Sequence, residues 1–165
     1  MSGATDDLDP APTAGLPASM AEIVEDFQAL PDRERLQLLL EFSQGLRPLP
    51  AEFEGHLEKM ERVDECQSPL FLAVEVGEDA PHTVHLFFDA PPEAPTTRGF
   101  AGILHEGLDG LPASEVLAVP DDAPYSFALA DAVSPLRLRG MVGMLSRIKR
   151  QVRLREEAMS AGGAV

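Results

Sequence analysis

Leu70 to Val76 reads Leu-Phe-Leu-Ala-Val-Glu-Val, a run of strand length rich in aliphatic and aromatic residues, and His82 to Asp89 follows it after the polar turn Gly77 to Pro81. In the second run Val84, Leu86 and Phe88 alternate with Thr83, His85 and Phe87, the period-two pattern of a strand with one face on a core. A shorter segment around Arg62 to Glu65 predicts a further strand just before them. Three sequential strands with short connections can pair only as an antiparallel meander, because parallel pairing needs long crossovers.

The flanking segments carry helical spacing instead. Met20, Ile23, Val24 and Phe27 predict a helix to about Leu30, with Ser19 as N-cap and Glu22 completing a capping box. Pro31 ends it, and Asp32 is placed to cap a second helix that turns Leu36, Leu39, Leu40 and Phe42 toward one side and stops at Gly45 and Pro48. Pro48 to Glu61 is a connector rich in Glu and Pro. Its Glu54, His56 and Glu58 do not share a helical face, so no metal site is read there. Beyond the strands, Thr96 or Thr97 caps a helix through Phe100, Ile103, Leu104 and Leu108, ended by Gly110 and Pro112. Ser114 to Val119 and Tyr125 to Ala130 are short helical pieces. Ser134-Pro135 then starts a last helix with the stripe Leu138, Met141, Val142, Leu145, Ile148 and Val152. Arg147, Lys149, Arg150, Arg153 and Arg155 are read as cations at that helix's C-terminal dipole end. Two helices, three strands, then helices predict an α+β two-layer domain, a three-stranded antiparallel sheet covered on one face by helices.

With 165 residues the chain is long enough for one domain with a real core. Residues 1–17 hold Asp6, Asp7 and Asp9 among prolines and predict a disordered acidic tail, and residues 158–165 a frayed C-terminal one. The formal net charge of −15 argues against nucleic acid and against an anionic membrane surface. It is unevenly spread: residues 1–97 hold five Lys or Arg against twenty Asp or Glu, while residues 98–165 hold eight of each. The acidic half is either a solvated surface or a face that steers a basic partner.

Cys66 is the only cysteine. It lies between the first two strand segments, followed by Gln67, Ser68 and Pro69, so it is expected on a loop beside the sheet rather than inside the core. One cysteine cannot make an internal disulfide, an iron–sulfur scaffold or a multi-cysteine zinc site. It fits a reducing cytoplasm. A nucleophile, a sulfur carrier, a redox sensor, an intermolecular bridge and an inert packed thiol remain. Asp64 and Glu65 beside it should raise its pKa, which disfavours a self-activated nucleophile and protects a resting thiol from oxidation. Arg137, in the first turn of the last helix, is either a cation that offsets this or an ordinary surface arginine; Arg98 is similar.

The Arg-Val-x-x-Cys-Gln-Ser segment from Arg62 to Ser68, followed by a strand, resembles the SufE family, sulfur acceptors for SufS-type cysteine desulfurases. Arg98-Gly99-Phe100-Ala101-Gly102-Ile103-Leu104 and Ser134-Pro135-Leu136-Arg137-Leu138-Arg139-Gly140-Met141 are similar to two helix starts of that family, in the right order. The family often has Gly before the cysteine, where this chain has Glu65, and Ser where it has Leu136. The resemblance implies a SufE/NifU-like fold over residues 18–157. It implies Cys66 as persulfide acceptor, with Gln67, Ser68, Arg98 and Arg137 in supporting or partner-contacting roles. It further implies an accessory protein that stimulates a desulfurase and passes sulfur to an iron–sulfur assembly scaffold as a monomer or homodimer. No cofactor of its own is expected, pyridoxal phosphate belonging to the desulfurase. Two rivals stand beside it. A thiol hydrolase would need His56, His82, His85 or His105 near Cys66, and a non-catalytic interaction module would keep Cys66 as a structural residue.

Overall fold

A computed structural model describes residues 13–162. Residues 1–12 of the expected acidic tail and 163–165 lie outside that range. Residues 13–15 form a turn, and Leu16 packs against the core.

Strands β1 (Glu61–Arg62), β2 (Phe71–Val76) and β3 (Val84–Asp89) form an antiparallel sheet in the order β1-β2-β3. The predicted meander is there, with a shifted first strand: Val63 follows β1, and Asp64 and Glu65 already turn. His82 stands before β3 in a left-handed conformation (φ 60°). The register sets Leu72 opposite Phe88 and Val74 opposite Leu86. These four side chains and Val84 face the main core, which α1 (Ala18–Gln28), α2 (Asp32–Gln44), α3 (Pro95–Leu108), α4 (Ala113–Ala118) and α5 (Pro135–Gly162) complete.

The other sheet face is not bare. Phe53 and Met60 of the connector cover Ala73, Phe71 and Phe87, with the Phe53 and Phe87 rings 4.9 Å apart. The outer edge of β3 is closed by the chain after α3. Val84 N–H donates to Leu111 C=O (2.8 Å), Gly110 N–H to Val84 C=O (2.7 Å), and Leu86 N–H to Asp109 Oδ1 (2.8 Å). The first half of that edge is thereby taken up by the chain itself.

Three expected caps are replaced. Ser19 lies inside α1, which follows Pro17, and its hydroxyl donates to Gly107 C=O on α3 (2.7 Å). Asp32 opens α2 after Pro31 and pairs with Arg35 (2.7 Å). Pro95 opens α3 ahead of both threonines, since proline's fixed φ suits a first helical position. Ser134 does cap α5, accepting from Arg137 N–H (3.3 Å). Helix α5 continues through Gly162, so residues 158–162 are helical rather than frayed. The cations from Arg147 to Arg155 therefore lie mid-helix, away from the dipole end. In α2, Leu39 is buried, but Leu36 and Leu40 are exposed.

Candidate functional site

The loop carrying Cys66 leaves the sheet at Val63 and returns at Leu70, where Val63 N–H donates to Leu70 C=O (2.9 Å). Pro69, without an amide hydrogen, cannot extend β2 backward and so helps keep residues 64–69 off the ladder. The expected loop position holds, but Cys66 is turned inward, 9% exposed, among the main core residues. The physical reason is the surface beneath it. Helix α5 presents Gly140 and Gly143, and a Cβ on Gly140 would stand 3.0 Å from Cys66 Sγ. With no side chain there, the loop settles directly on the helix.

The thiol lies at a cleft of about 30 Å³, room for a water-sized body. The loop contributes Gln67 and Ser68, α3 contributes Thr97 and Phe100, and α5 contributes Leu136 and Arg137. Three of the four expected supporting residues thus converge on Cys66. The fourth does not: Arg98 Nη1 donates to Ala90 C=O (2.7 Å), tying the start of α3 to the end of β3. Adjacent residues on a helix point about 100° apart, so Thr97 faces the cleft and Arg98 cannot. None of His56, His82, His85 and His105 lines the cleft, which removes the base a thiol hydrolase would need.

Burial pushes the Cys66 thiol up to about 11; the Glu65 carboxylate adds to that and Arg147 opposes it. The expected upward shift is present, with desolvation ahead of charge as its cause. Arg147 was read from the sequence only as part of a basic cluster. Its Nη2 donates to Glu65 Oε2 (2.8 Å) and its Nη1 to Glu61 Oε2 (3.0 Å), joining loop, β1 and α5. Glu61 also accepts from Gln151 Nε2 (2.8 Å) and pairs with Arg150. No local signal marks a pairing between residues so far apart in the chain. Among the described residues no group of His, Cys, Asp and Glu is arranged to hold a metal. No helix among them is long and apolar enough to cross a membrane.

A family profile described as "SufE: Fe-S metabolism associated domain" matches residues 21–152. The chain belongs to the SufE family. An uncharacterized SufE-like protein of Mycobacterium tuberculosis is 54% identical to this SufE-family chain over 142 residues, covering 85% of it and 95% of the relative. SufE-like protein 1, chloroplastic/mitochondrial, of Arabidopsis thaliana is 26% identical over 141 residues, which cover 85% of this chain and 36% of that longer one. The solution structure of a hypothetical protein from Thermus thermophilus superposes with a TM-score of 0.73 at 38% identity, covering 84% of this chain and 96% of that one. The three-stranded sheet with its helices is thus a SufE-like fold, and membership ties the chain to Fe–S metabolism.

Proposed function

We propose that this protein is a sulfur acceptor that carries sulfane sulfur on Cys66 between a SufS-type cysteine desulfurase and an iron–sulfur assembly scaffold. The reading rests on one observation above the others: the chain's single thiol lies in a cleft against Gln67, Ser68 and Arg137 in a SufE-family fold. In the transfer, the Cys66 thiolate attacks the outer sulfur of the donor's persulfide. The donor's S–S bond breaks, its cysteine leaves as a thiolate, and Cys66–S–SH forms with no net oxidation. A second thiol is absent from the sequence, so the persulfide cannot close into an internal disulfide and the sulfur leaves outward. Pyridoxal phosphate is needed by the desulfurase, and this chain acts as its stimulating accessory without a cofactor.

Burial of Cys66 favours the second reading, an interaction module whose cysteine only packs. One experiment separates them. The protein is mixed with a SufS-type desulfurase, L-cysteine and pyridoxal phosphate, and its intact mass is taken. Carriage adds about one sulfur (~32 Da) to wild type and nothing to Cys66→Ser. No gain in the presence of an active desulfurase rejects the carrier and leaves the packed cysteine.

A further inference from the structure

Arg147 stands where three elements meet, and its contacts have one geometric effect. On the face of α5 that begins at Gly140, residues 143 and 147 follow at helical spacing, so the loop lies along Gly140 and Gly143 and its carboxylate reaches Arg147. A Cβ on Gly143 would come within 2.6 Å of Glu65 Oε2 and 3.0 Å of Glu65 Cβ, so the glycine keeps this track open. The guanidinium meets Glu65 through Nε (3.3 Å) and Nη2 (2.8 and 3.1 Å), while Glu61, fixed in β1, holds its other side. Burial opposes the charge on Arg147, and its bonds to Glu65 and Glu61 outweigh that. Glu61 is itself kept in place by Arg150 and Gln151. Glu65 immediately precedes Cys66, so when the carboxylate is held on α5 the thiol beside it is held inward.

We infer that the Glu65–Arg147 pair is a latch that holds the Cys66 loop closed on α5, and that Arg147 is the positioning residue that sets how often the thiol becomes accessible. The fork of a guanidinium is required, because one cation must bridge the sheet's Glu61 and the loop's Glu65 together. A macromolecule that draws sulfur to Cys66 has to release Glu65 from this fork first. The latch bears on the carrier reading but is tested apart from it, using a small reagent and no desulfurase.

The rate of Cys66 alkylation by iodoacetamide, a neutral reagent, is measured on the folded full chain. Glu65→Gln and Arg147→Gln each accelerate alkylation about fivefold, the factor expected from a partly exposed ion pair. The double variant is no faster than the faster single variant, because either change opens the same latch. Arg147→Lys falls between wild type and Arg147→Gln. Asp64→Asn removes an adjacent charge that only reaches Arg147 at 3.9 Å, and it changes the rate less than about twofold. Arg147 also draws the thiol pKa down, so its loss would slow alkylation if it acted on the thiol by charge alone. A slower Arg147→Gln, or Glu65→Gln no faster than Asp64→Asn, overturns the latch. Should Arg147→Gln not fold, Arg147→Lys decides alone, since it keeps the charge and loses the fork: a rate above wild type supports the latch and a rate equal to wild type overturns it, whereas Glu65→Gln also removes the carboxylate that raises the thiol pKa. Loss of sulfur loading with the latch variants behaving as stated would instead strike the carrier reading only.

Discussion

The proposed carrier role turns on the resting thiol of Cys66, and its titration can be worked from the structure. Burial, then Glu65, move the Cys66 pKa from 9.0 to about 11, against the pull of Arg147. Two units mean that at any pH below 9 the folded protein holds about a hundredth of the thiolate that an unperturbed cysteine would. The same shift is a statement about stability. The folded state binds this proton more tightly than the unfolded chain, so its contribution is fully present below pH 9. It is lost as pH rises from 9 toward 11, by up to roughly 3 kcal/mol. The assay is thiolate absorbance against pH, taken as wild type minus Cys66→Ser so that Tyr125 cancels. Urea unfolding at pH 8 and pH 10.5 follows, again on both proteins. Wild type should inflect well above pH 9 and lose more stability than Cys66→Ser between the two pH values. An inflection at or below pH 9, or equal losses in the two proteins, refutes the argument from burial.

Other substitutions test the framework around the site. A Cβ on Gly102 would lie 2.3 Å from Phe42 O, a backbone atom that only moves if α2 moves. Gly102→Ala should therefore destabilise by about 1–3 kcal/mol despite better helix propensity, whereas Gly45→Ala, with neighbours at 3.6 Å and an αR backbone, should be neutral or stabilising in thermal unfolding. Buried Lys149 donates to Val119 C=O (2.7 Å) and pairs with Asp121 (2.8 Å), and Lys149→Met should cost about 1–3 kcal/mol by leaving that carbonyl unpaired. Arg98→Ala should lower stability by about 1 kcal/mol and leave Cys66 alkylation unchanged, since its partner is Ala90. Arg137→Ala, an exposed change, should leave stability within about 0.5 kcal/mol and reduce sulfur loading measured by intact mass.

Local chemistry made the fold legible. Val84, Leu86 and Phe88 are buried on alternate positions as their period requires, and the Ser134-Pro135 start of α5 holds to the residue. The cleft was legible only where a motif carried it, at Cys66, Gln67, Ser68 and Arg137. Ser19 looked like a cap because a hydroxyl before a helical run satisfies a free amide; in the fold Gly107 C=O takes that hydroxyl instead. Lys149 and Arg147 looked alike in a basic run, yet one is buried against a loop carbonyl and the other spans two glutamates. Such assignments depend on which distant segment each helix face meets, and no periodicity encodes that. Glu65 is the instructive case: read as an unpaired neighbour it could only perturb the thiol, whereas beside Arg147 it also holds the loop.

In the proposed carrier role the thiol is hidden at rest and yet delivered, and the placement of Cys66 is compatible with both. Had the cysteine stood in β2, exposing it would have broken a ladder of six residue pairs with β3. It stands instead between Val63 and Leu70, whose mutual hydrogen bond closes the neck of the loop without involving the residues inside. Swinging residues 64–69 outward gives up the Cys66 N–H bond to Val63 C=O (3.2 Å), the burial of one small side chain and the pairing of Glu65 with Arg147. Those terms come to a few kcal/mol, roughly 1 kcal/mol for each hydrogen bond or ion pair and 1–2 kcal/mol for the side chain. That is the gap at which an open state is rare but present, and a partner with a preference of the same size for the open loop can make it dominant. The sheet, the α2–α3 contact at Gly102 and the Lys149 anchor need not move, so the cost of exposing the thiol falls on one short loop and on the arginine that holds it.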